Sequence, residues 1–306
     1  MTSENKKNET EIIPVPLEEI GYTHTIFVQS LFPYNPTDEY RRVLGQGSMQ
    51  VTLMSPNGLP YGKYPRLIMA YIITTALQRA YQYQRGNITL DEARVIPLGD
   101  SLNEFFHAMG INARATGGKS GSITRIKEQL HRLVSSTITV EKRIKNEKVE
   151  SSEGENRSIA DSWKFWSDPK TGAVTSGNLT ISKHFFNMLC ERPIPIHLPT
   201  LQKIKKPRAI DLYVWTTLKQ YWLTQQKKQA YTFSWRAVEH QFSVLELTTS
   251  VQRRNFRNEI KRCIGEVSSL WPDSGLEADT ELGVTITSTR PHVPQKRPKL
   301  SLVKPS

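Results

Sequence analysis

The chain has 306 residues, 41 Lys plus Arg against 29 Asp plus Glu for a net charge of +12, and 37% apolar residues. At roughly 100 to 200 residues per domain, a single small module is excluded and one large or two ordinary domains are expected, and the positive balance should attract polyanions. Two cysteines, Cys190 and Cys263, exclude a disulfide framework and a Cys-based zinc site, and no run of about 18 apolar residues points to a signal peptide or a membrane span, so a cytoplasmic protein is expected.

Residues 1–19 are polar, with Glu4, Glu9, Glu11, Glu18 and Glu19 against Lys6 and Lys7, the composition of a disordered acidic tail. Between Ile20 and Pro60, Thr25-Ile26-Phe27-Val28 and Met49-Gln50-Val51-Thr52-Leu53 read as strands of a small sheet, separated by Pro and Gly turns. Pro65 starts a helix whose Met69, Ile72, Ile73, Ala76 and Ala80 have amphipathic spacing. Val95-Ile96-Pro97-Leu98 is extended, and Asp100 or Ser101 caps a second helix through Leu102, Phe105, Phe106 and Met109, ended by Gly110. After Gly117-Gly118-Lys119-Ser120-Gly121, Ser122 is expected to cap a third helix. Its Ile123, Ile126, Leu130, Leu133 and Val134 make one face, and Arg125, Glu128, Gln129 and Arg132 fall on the opposite, basic one. Ile138-Thr139-Val140 and Trp163-Lys164-Phe165-Trp166 read as strands on either side of a polar loop, Asn146 to Asn156.

The same order then recurs. Pro207-Arg208 opens a helix with Ile210, Val214, Leu218 and Tyr221; Tyr231-Thr232-Phe233 is extended; Ser234 caps a helix through Val238 and Phe242. Ser250 leads a helix with Phe256, Ile260, Cys263, Ile264 and Val267 on its apolar face, and Gly283-Val284-Thr285-Ile286-Thr287 is a strand of a terminal hairpin. Helix, strand, helix, helix, hairpin, twice over, predicts an α+β chain, mainly helical, built of two tandem winged helix-turn-helix domains. The expected division is a first winged-helix domain with extra strands over 20–192, a Pro-rich stiff junction over 193–206, a second winged-helix domain over 207–294 and a disordered basic tail over 295–306.

Catalytic motifs are thin. Ala113-Arg114-Ala115-Thr116-Gly117-Gly118-Lys119-Ser120 fits a relaxed phosphate-binding loop, but the preceding Leu102 to Met109 segment is helical in pattern where such a loop needs a buried strand. The histidines at 24, 107, 131, 184, 197, 240 and 292 have no ligand spacing, no Gly-x-Ser-x-Gly elbow occurs, and Cys190 lacks a partner sequence. No enzyme, cofactor or metal is expected.

A charged helix face alone is commonly a solvated face. The two third helices differ by their place in the repeat, their hydroxyl-rich entries, and their mixture of Arg with Gln or Asn, the side chains that pair with guanine and adenine while hydroxyls grip phosphates. The DNA-binding candidates are Lys119, Ser122, Thr124, Arg125, Gln129 and Arg132 in the first unit, and Ser250, Arg253, Arg254, Arg257, Asn258 and Lys261 in the second. The dense Arg253-Arg254-Asn255-Phe256-Arg257-Asn258 run makes the second unit the better major-groove reader. The first then grips an adjacent groove or forms a dimer contact.

Six motifs occur in order between about Pro60 and Pro294: Pro65-Arg66-Leu67-Ile68-Met69-Ala70, Leu98-Gly99-Asp100-Ser101-Leu102-Asn103-Glu104-Phe105, the Gly117 to Arg125 segment GGKSGSITR, Glu191-Arg192-Pro193-Ile194-Pro195, Arg254-Asn255-Phe256-Arg257, and Ser288-Thr289-Arg290-Pro291-His292-Val293-Pro294. Together they resemble the plasmid replication initiators called RepA. The resemblance implies binding of repeated sites in double-stranded plasmid origin DNA, cooperation with a host initiator and the replicative helicase in a bacterial cytoplasm, and a switch between origin-binding monomers and self-repressing dimers. In the stretch Glu150 to Asn156 the chain departs from the family's pattern, so no wing contact is expected there. A transcriptional repressor of the same fold and, more distantly, a nicking or nucleotide-hydrolysing replication enzyme are the alternatives.

Overall fold

The computed structural model describes residues 15–29, 31–45, 49–111, 121–145, 150–165, 177–244 and 246–294. In chain order the elements are β1 (Ile20–His24), β2 (Arg41–Leu44), β3 (Met49–Met54), α1 (Lys63–Gln84), α2 (Leu90–Ala93), β4 (Val95–Pro97), α3 (Leu102–Ala108), α4 (Ser122–Val134), β5 (Thr137–Lys145), β6 (Glu150–Ser158), β7 (Ala160–Lys164), β8 (Asn178–Ile181), α5 (Lys183–Glu191), β9 (Pro193–His197), α6 (Leu198–Lys203), α7 (Pro207–Gln225), β10 (Ala230–Ser234), α8 (Trp235–Phe242), α9 (Ser250–Leu270), β11 (Leu276–Ala278) and β12 (Gly283–Thr287). The chain is α+β.

The order α1, β4, α3, α4, β7, β8 recurs as α7, β10, α8, α9, β11, β12, and in each set the first strand pairs with the last, giving the antiparallel sheets β4-β8-β7 and β10-β12-β11. The repeat reaches single residues. Pro65 and Arg66, Tyr71, Thr74 and Thr75, and Gln78 of α1 stand at the same offsets as Pro207 and Arg208, Tyr213, Thr216 and Thr217, and Gln220 of α7. The β5–β6 hairpin interrupts the first set and joins β2 and β3 in a sheet of order β2-β3-β5-β6. Ser101 and Ser234 cap α3 and α8 by accepting the Glu104 and Ala237 N–H groups, and Gly110, at φ 68°, follows the end of α3.

Several expectations change. Thr25–Gln29 is a 3-10 segment rather than a strand, with Ile26, Phe27 and Val28 buried in succession; a short run of apolar residues is compatible with either conformation, so its composition alone does not decide. Within the polar stretch 146–156, residues 150–156 belong to β6 and 146–149 lie outside the described residues; the ladder with β5, including the Lys142↔Glu153 register pair, organises the strand without an apolar face. The Pro-rich segment is a strand rather than an extended linker: β9 is buried from Pro193 to Ile196 and pairs with β1. Its prolines fall on alternate residues, so their missing N–H groups lie on the strand's unpaired edge while Ile194 and Ile196 face the ladder. At the other end, Leu17–Glu19 forms a 3-10 turn, and a Glu19 carboxylate oxygen lies 3.0 Å from His197 Nε2, so the acidic tail is anchored before residue 20.

α1 is central rather than amphipathic, buried on nearly every side from Pro65 to Ala80. At its first turn Arg66 joins the two repeats. Its Nε and Nη2 donate to the two Asp211 carboxylate oxygens of α7, each at 2.7 Å, and both side chains are about 95% buried. The remaining donors reach the carbonyls of Phe32 (2.8 Å), Gly62 (2.6 Å) and Pro33 (3.4 Å), so all five guanidinium N–H groups are engaged. The Tyr34 ring contacts both guanidinium groups, with its centre 5.0 Å from that of Arg66 and 4.4 Å from that of Arg208. Removing one member of a buried pair strands the other's charge. Asp211→Ala is therefore expected to cost about 3 to 5 kcal/mol in a urea titration, and Arg66→Met with Asp211→Leu to cost less than that single change.

A second tie returns the C-terminal segment to the first repeat. His292 stacks on Trp271 at 4.7 Å, lies 4.7 Å from the His197 ring of β9, and is 3.3 Å from the Tyr213 hydroxyl. Burial, helped by the neighbouring His197, lowers the His292 pKa to about 4 from its ordinary 6.5. A depressed histidine pKa means that the unfolded chain takes up the proton first, so stability present above pH 6.5 is lost as pH falls towards 4. His292→Phe, which keeps a stacking ring, should flatten this limb of an unfolding free energy against pH profile, from urea titrations, by about 1 to 2 kcal/mol after solvent screening.

Candidate nucleic-acid interface

α9 begins with a reciprocal cap. Thr249 Oγ1 accepts the Gln252 N–H at 3.2 Å, and Gln252 Oε1 accepts the N–H groups of Thr249 (3.0 Å) and Thr248 (2.9 Å). Thr249 is thus the cap, and Ser250 leads the helix as the spacing predicts, exposed in the first turn. Phe256, Ile260, Cys263, Ile264 and Val267 are buried, as the spacing predicts, and Val251, Arg254, Asn255, Asn258 and Arg262 form the exposed stripe. Arg254 and Asn258, four residues apart, thus share an open face, and neither has a hydrogen-bond or ion-pair partner among the described residues.

The other candidates of α9 are drawn aside. Arg253 Nε lies 3.6 Å from Glu239 of α8, and the Arg257 guanidinium stacks 5.2 Å over the Trp235 ring. Both line a cleft of about 700 Å³ with Arg236, Glu239, His240 and Leu247, beside the entry of α9. Lys261 is half-buried and leans towards the β11–β12 turn. There Asp279 is held below its ordinary pKa, first by the backbone N–H groups of Leu282 and Glu281 and then by the Lys261 charge. Glu277, Asp279 and Glu281 make that turn acidic, and Leu282 projects from it with 68% of its surface exposed.

α4 is capped by Gly121 with no side-chain bond, so Ser122 is its first residue and not its cap. Thr124, Arg125, Lys127 and His131 are exposed. Gln129 and Arg132 do not share that face. Gln129 is 2% exposed and accepts the Tyr61 N–H at 2.7 Å; Arg132 Nη1 donates to the Leu59 carbonyl at 3.1 Å, pairs with Glu128 at 2.7 Å, and lies 5.3 Å over the Tyr61 ring. The segment between β3 and α1 closes over this side of α4 and uses both as structural ligands. This corrects their placement on the basic outer face. Lys119 lies outside the described residues, and among the described residues the last element before it is the helix α3. Lys127, Arg236 and Arg262 are not among the sequence candidates, although Arg262 stands four residues from Asn258 and follows from extending that stripe.

Burial pushes the Cys190 and Cys263 thiols up to about 12, which leaves them un-ionised near neutral pH and poor nucleophiles. Among the described residues no cluster of His, Cys, Asp and Glu could hold a metal ion, and no helix is long and apolar enough to cross a membrane.

The sequence model of a family described as "Plasmid encoded RepA protein" matches residues 59–237, more than half of the chain. The chain belongs to the RepA family of plasmid replication initiators. The match runs from the segment before α1 into α8, so α9 and the terminal hairpin of this RepA chain lie beyond it. None of the curated proteins matches. A crystal structure of selenomethionine derivatives of domains 2 and 3 of RctB is similar at a TM-score of 0.48 and 12% identity, over 86% of this chain and 95% of that one.

The placement of Gln129 has a direct test. Gln129→Ala leaves the Tyr61 N–H without its acceptor and should lower unfolding free energy in a urea titration by about 1 to 3 kcal/mol.

Proposed function

We propose that this RepA chain initiates plasmid replication by binding repeated sites in double-stranded origin DNA, distorting adjacent A·T-rich sequence and assisting helicase loading, with no covalent step of its own. The observation that carries this reading is the exposed stripe of α9. A helix fixed by its cap and its apolar face presents Arg254, Asn255, Asn258 and Arg262 outward, and Arg and Asn match the bidentate hydrogen-bond patterns of guanine and adenine in the major groove. The chain's net charge of +12 supplies the salt-dependent attraction to phosphates.

In this reading the two repeats are winged-helix domains, over 20–192 and 207–294, supported by their common element order and strand order. α9 reads bases. α4 grips phosphates of a neighbouring groove through Ser122, Thr124 and Arg125, joined by Lys127. The acidic β11–β12 turn stands away from the DNA backbone, since Glu277, Asp279 and Glu281 are repelled by phosphate. A host initiator, the replicative helicase and a second copy of the chain are the proposed protein partners, in the bacterial cytoplasm.

Arg254→Ala should weaken binding to an origin-repeat duplex by about 1 to 3 kcal/mol and relax preference at one or two base pairs. Lys261→Ala, beside the acidic turn, should leave the preference profile unchanged. Titration against a panel of single-base variants checks both, and an unaltered profile for Arg254→Ala at an unchanged melting temperature would assign base reading to another element.

A further inference from the structure

Along α7, Trp215, Lys219 and Trp222 stand at i, i+4 and i+7, on one side of the helix. That side meets β10, one of the two edge strands of its sheet. The Trp222 and Tyr231 ring centres are 5.3 Å apart, Tyr231 and Phe233 4.7 Å, and Phe233 and Trp215 4.6 Å. Lys219 Nζ lies 5.1 Å from the Phe233 ring centre and 5.8 Å from that of Trp222, and Lys228 Nζ lies 5.1 Å from Trp222 and 5.2 Å from Tyr231. Tyr231 is 41% exposed, Lys228 is exposed, and Trp222 and Phe233 are partly so. Between Asp211 and Glu239 the sequence has Lys219, Lys227, Lys228 and Arg236 and no acidic residue.

The repeat itself shows that the fold does not require this surface. In α1 the corresponding positions are Ile73, Leu77 and Ala80, all buried, and the connection to β4 includes α2, which packs on α1 with Arg79 donating to the Glu92 carbonyl. The connection from α7 to β10 has no such helix. On the other side of α7, Tyr213 meets Trp271 at the end of α9 and Gln220 donates to the Ser274 carbonyl at 2.9 Å, so the aromatic face is separate from the exposed stripe of α9.

We propose that this face of α7 and β10 binds single-stranded nucleic acid, with bases stacking on Tyr231 and Trp222 and backbone phosphates drawn to Lys219 and Lys228. Rings interleaved with ammonium groups suit a chain of alternating bases and phosphates, and stacking is tolerant of sequence because every base has a π-face. An acidic protein segment would answer the charge and leave the rings without planar partners. The inference rests on the initiator reading and extends it: one protein would hold duplex through α9 and a separated strand through α7 and β10.

The test is fluorescence anisotropy of the full chain with a labelled oligothymidylate of about 16 nucleotides, in parallel with an origin-repeat duplex. The oligonucleotide should bind saturably. Tyr231→Ala should weaken it about tenfold with duplex affinity unchanged, Tyr231→Phe should retain binding, and Lys228→Ala should weaken it and make its salt dependence shallower. Duplex binding without saturable oligonucleotide binding would overturn this proposal alone, as would oligonucleotide affinity unmoved in both alanine variants. Equal losses on both probes would overturn it by placing the rings in the duplex interface. If neither probe binds, the initiator reading falls with it.

Discussion

One arginine, buried with all five of its N–H donors engaged, fixes where the second repeat sits on the first. Arg66 takes the Asp211 carboxylate from α7 and the carbonyls of Phe32, Pro33 and Gly62 from its own repeat, so the contact is directional where an apolar patch would slide. Bidentate pairing, with the Tyr34 ring in contact with both Arg66 and Arg208, restricts both distance and rotation. Such a pair adds little net stability compared with apolar replacement, and its strength lies in the penalty for every arrangement that leaves the charge unmatched. Around this seam α1 and α7 share a continuous core, and α9 is carried on α7.

The two repeats share a plan and differ where function is proposed. Pro and Arg open both first helices, and the strand orders agree, yet only the second repeat has a third helix of 21 residues with an open Arg and Asn stripe. The first repeat spends part of its own third helix on structure, with Gln129 and Arg132 bound to the segment before α1. It also gains the β5–β6 hairpin, which ties β2 and β3 into the domain. Divergence of one plan thus assigns the open polar helix face to one repeat and added sheet structure to the other.

Much of this was legible in the sequence because it depends on local periodicity. The buried stripe of α9, the caps at Ser101 and Ser234, and β12 over Gly283–Thr287 follow from spacing and side-chain chemistry within a few residues. What was not legible depends on distant chain. At about 100° per residue Gln129 falls on the flank of the apolar stripe of α4, beside Leu133, and it is buried because Tyr61, 68 residues earlier, folds over that flank. β6 has no apolar pattern and exists through its ladder with β5; β9 looked like a linker because a proline-rich strand is tolerated only when its edge is free, a fact about its neighbour β1. The drawing aside of Arg253 and Arg257 by Glu239 and Trp235 is likewise a property of α8.

The central claim is that the exposed stripe of α9 lies against bases while the acidic hairpin turn stands off the DNA. Photo-crosslinking reads this directly, with a photoreactive side chain placed at the exposed position 255 or at position 282 of the full chain bound to an origin-repeat duplex. The account predicts crosslinks from position 255 to bases within the repeat and none from position 282. Crosslinks from position 282 with none from position 255 would contradict it.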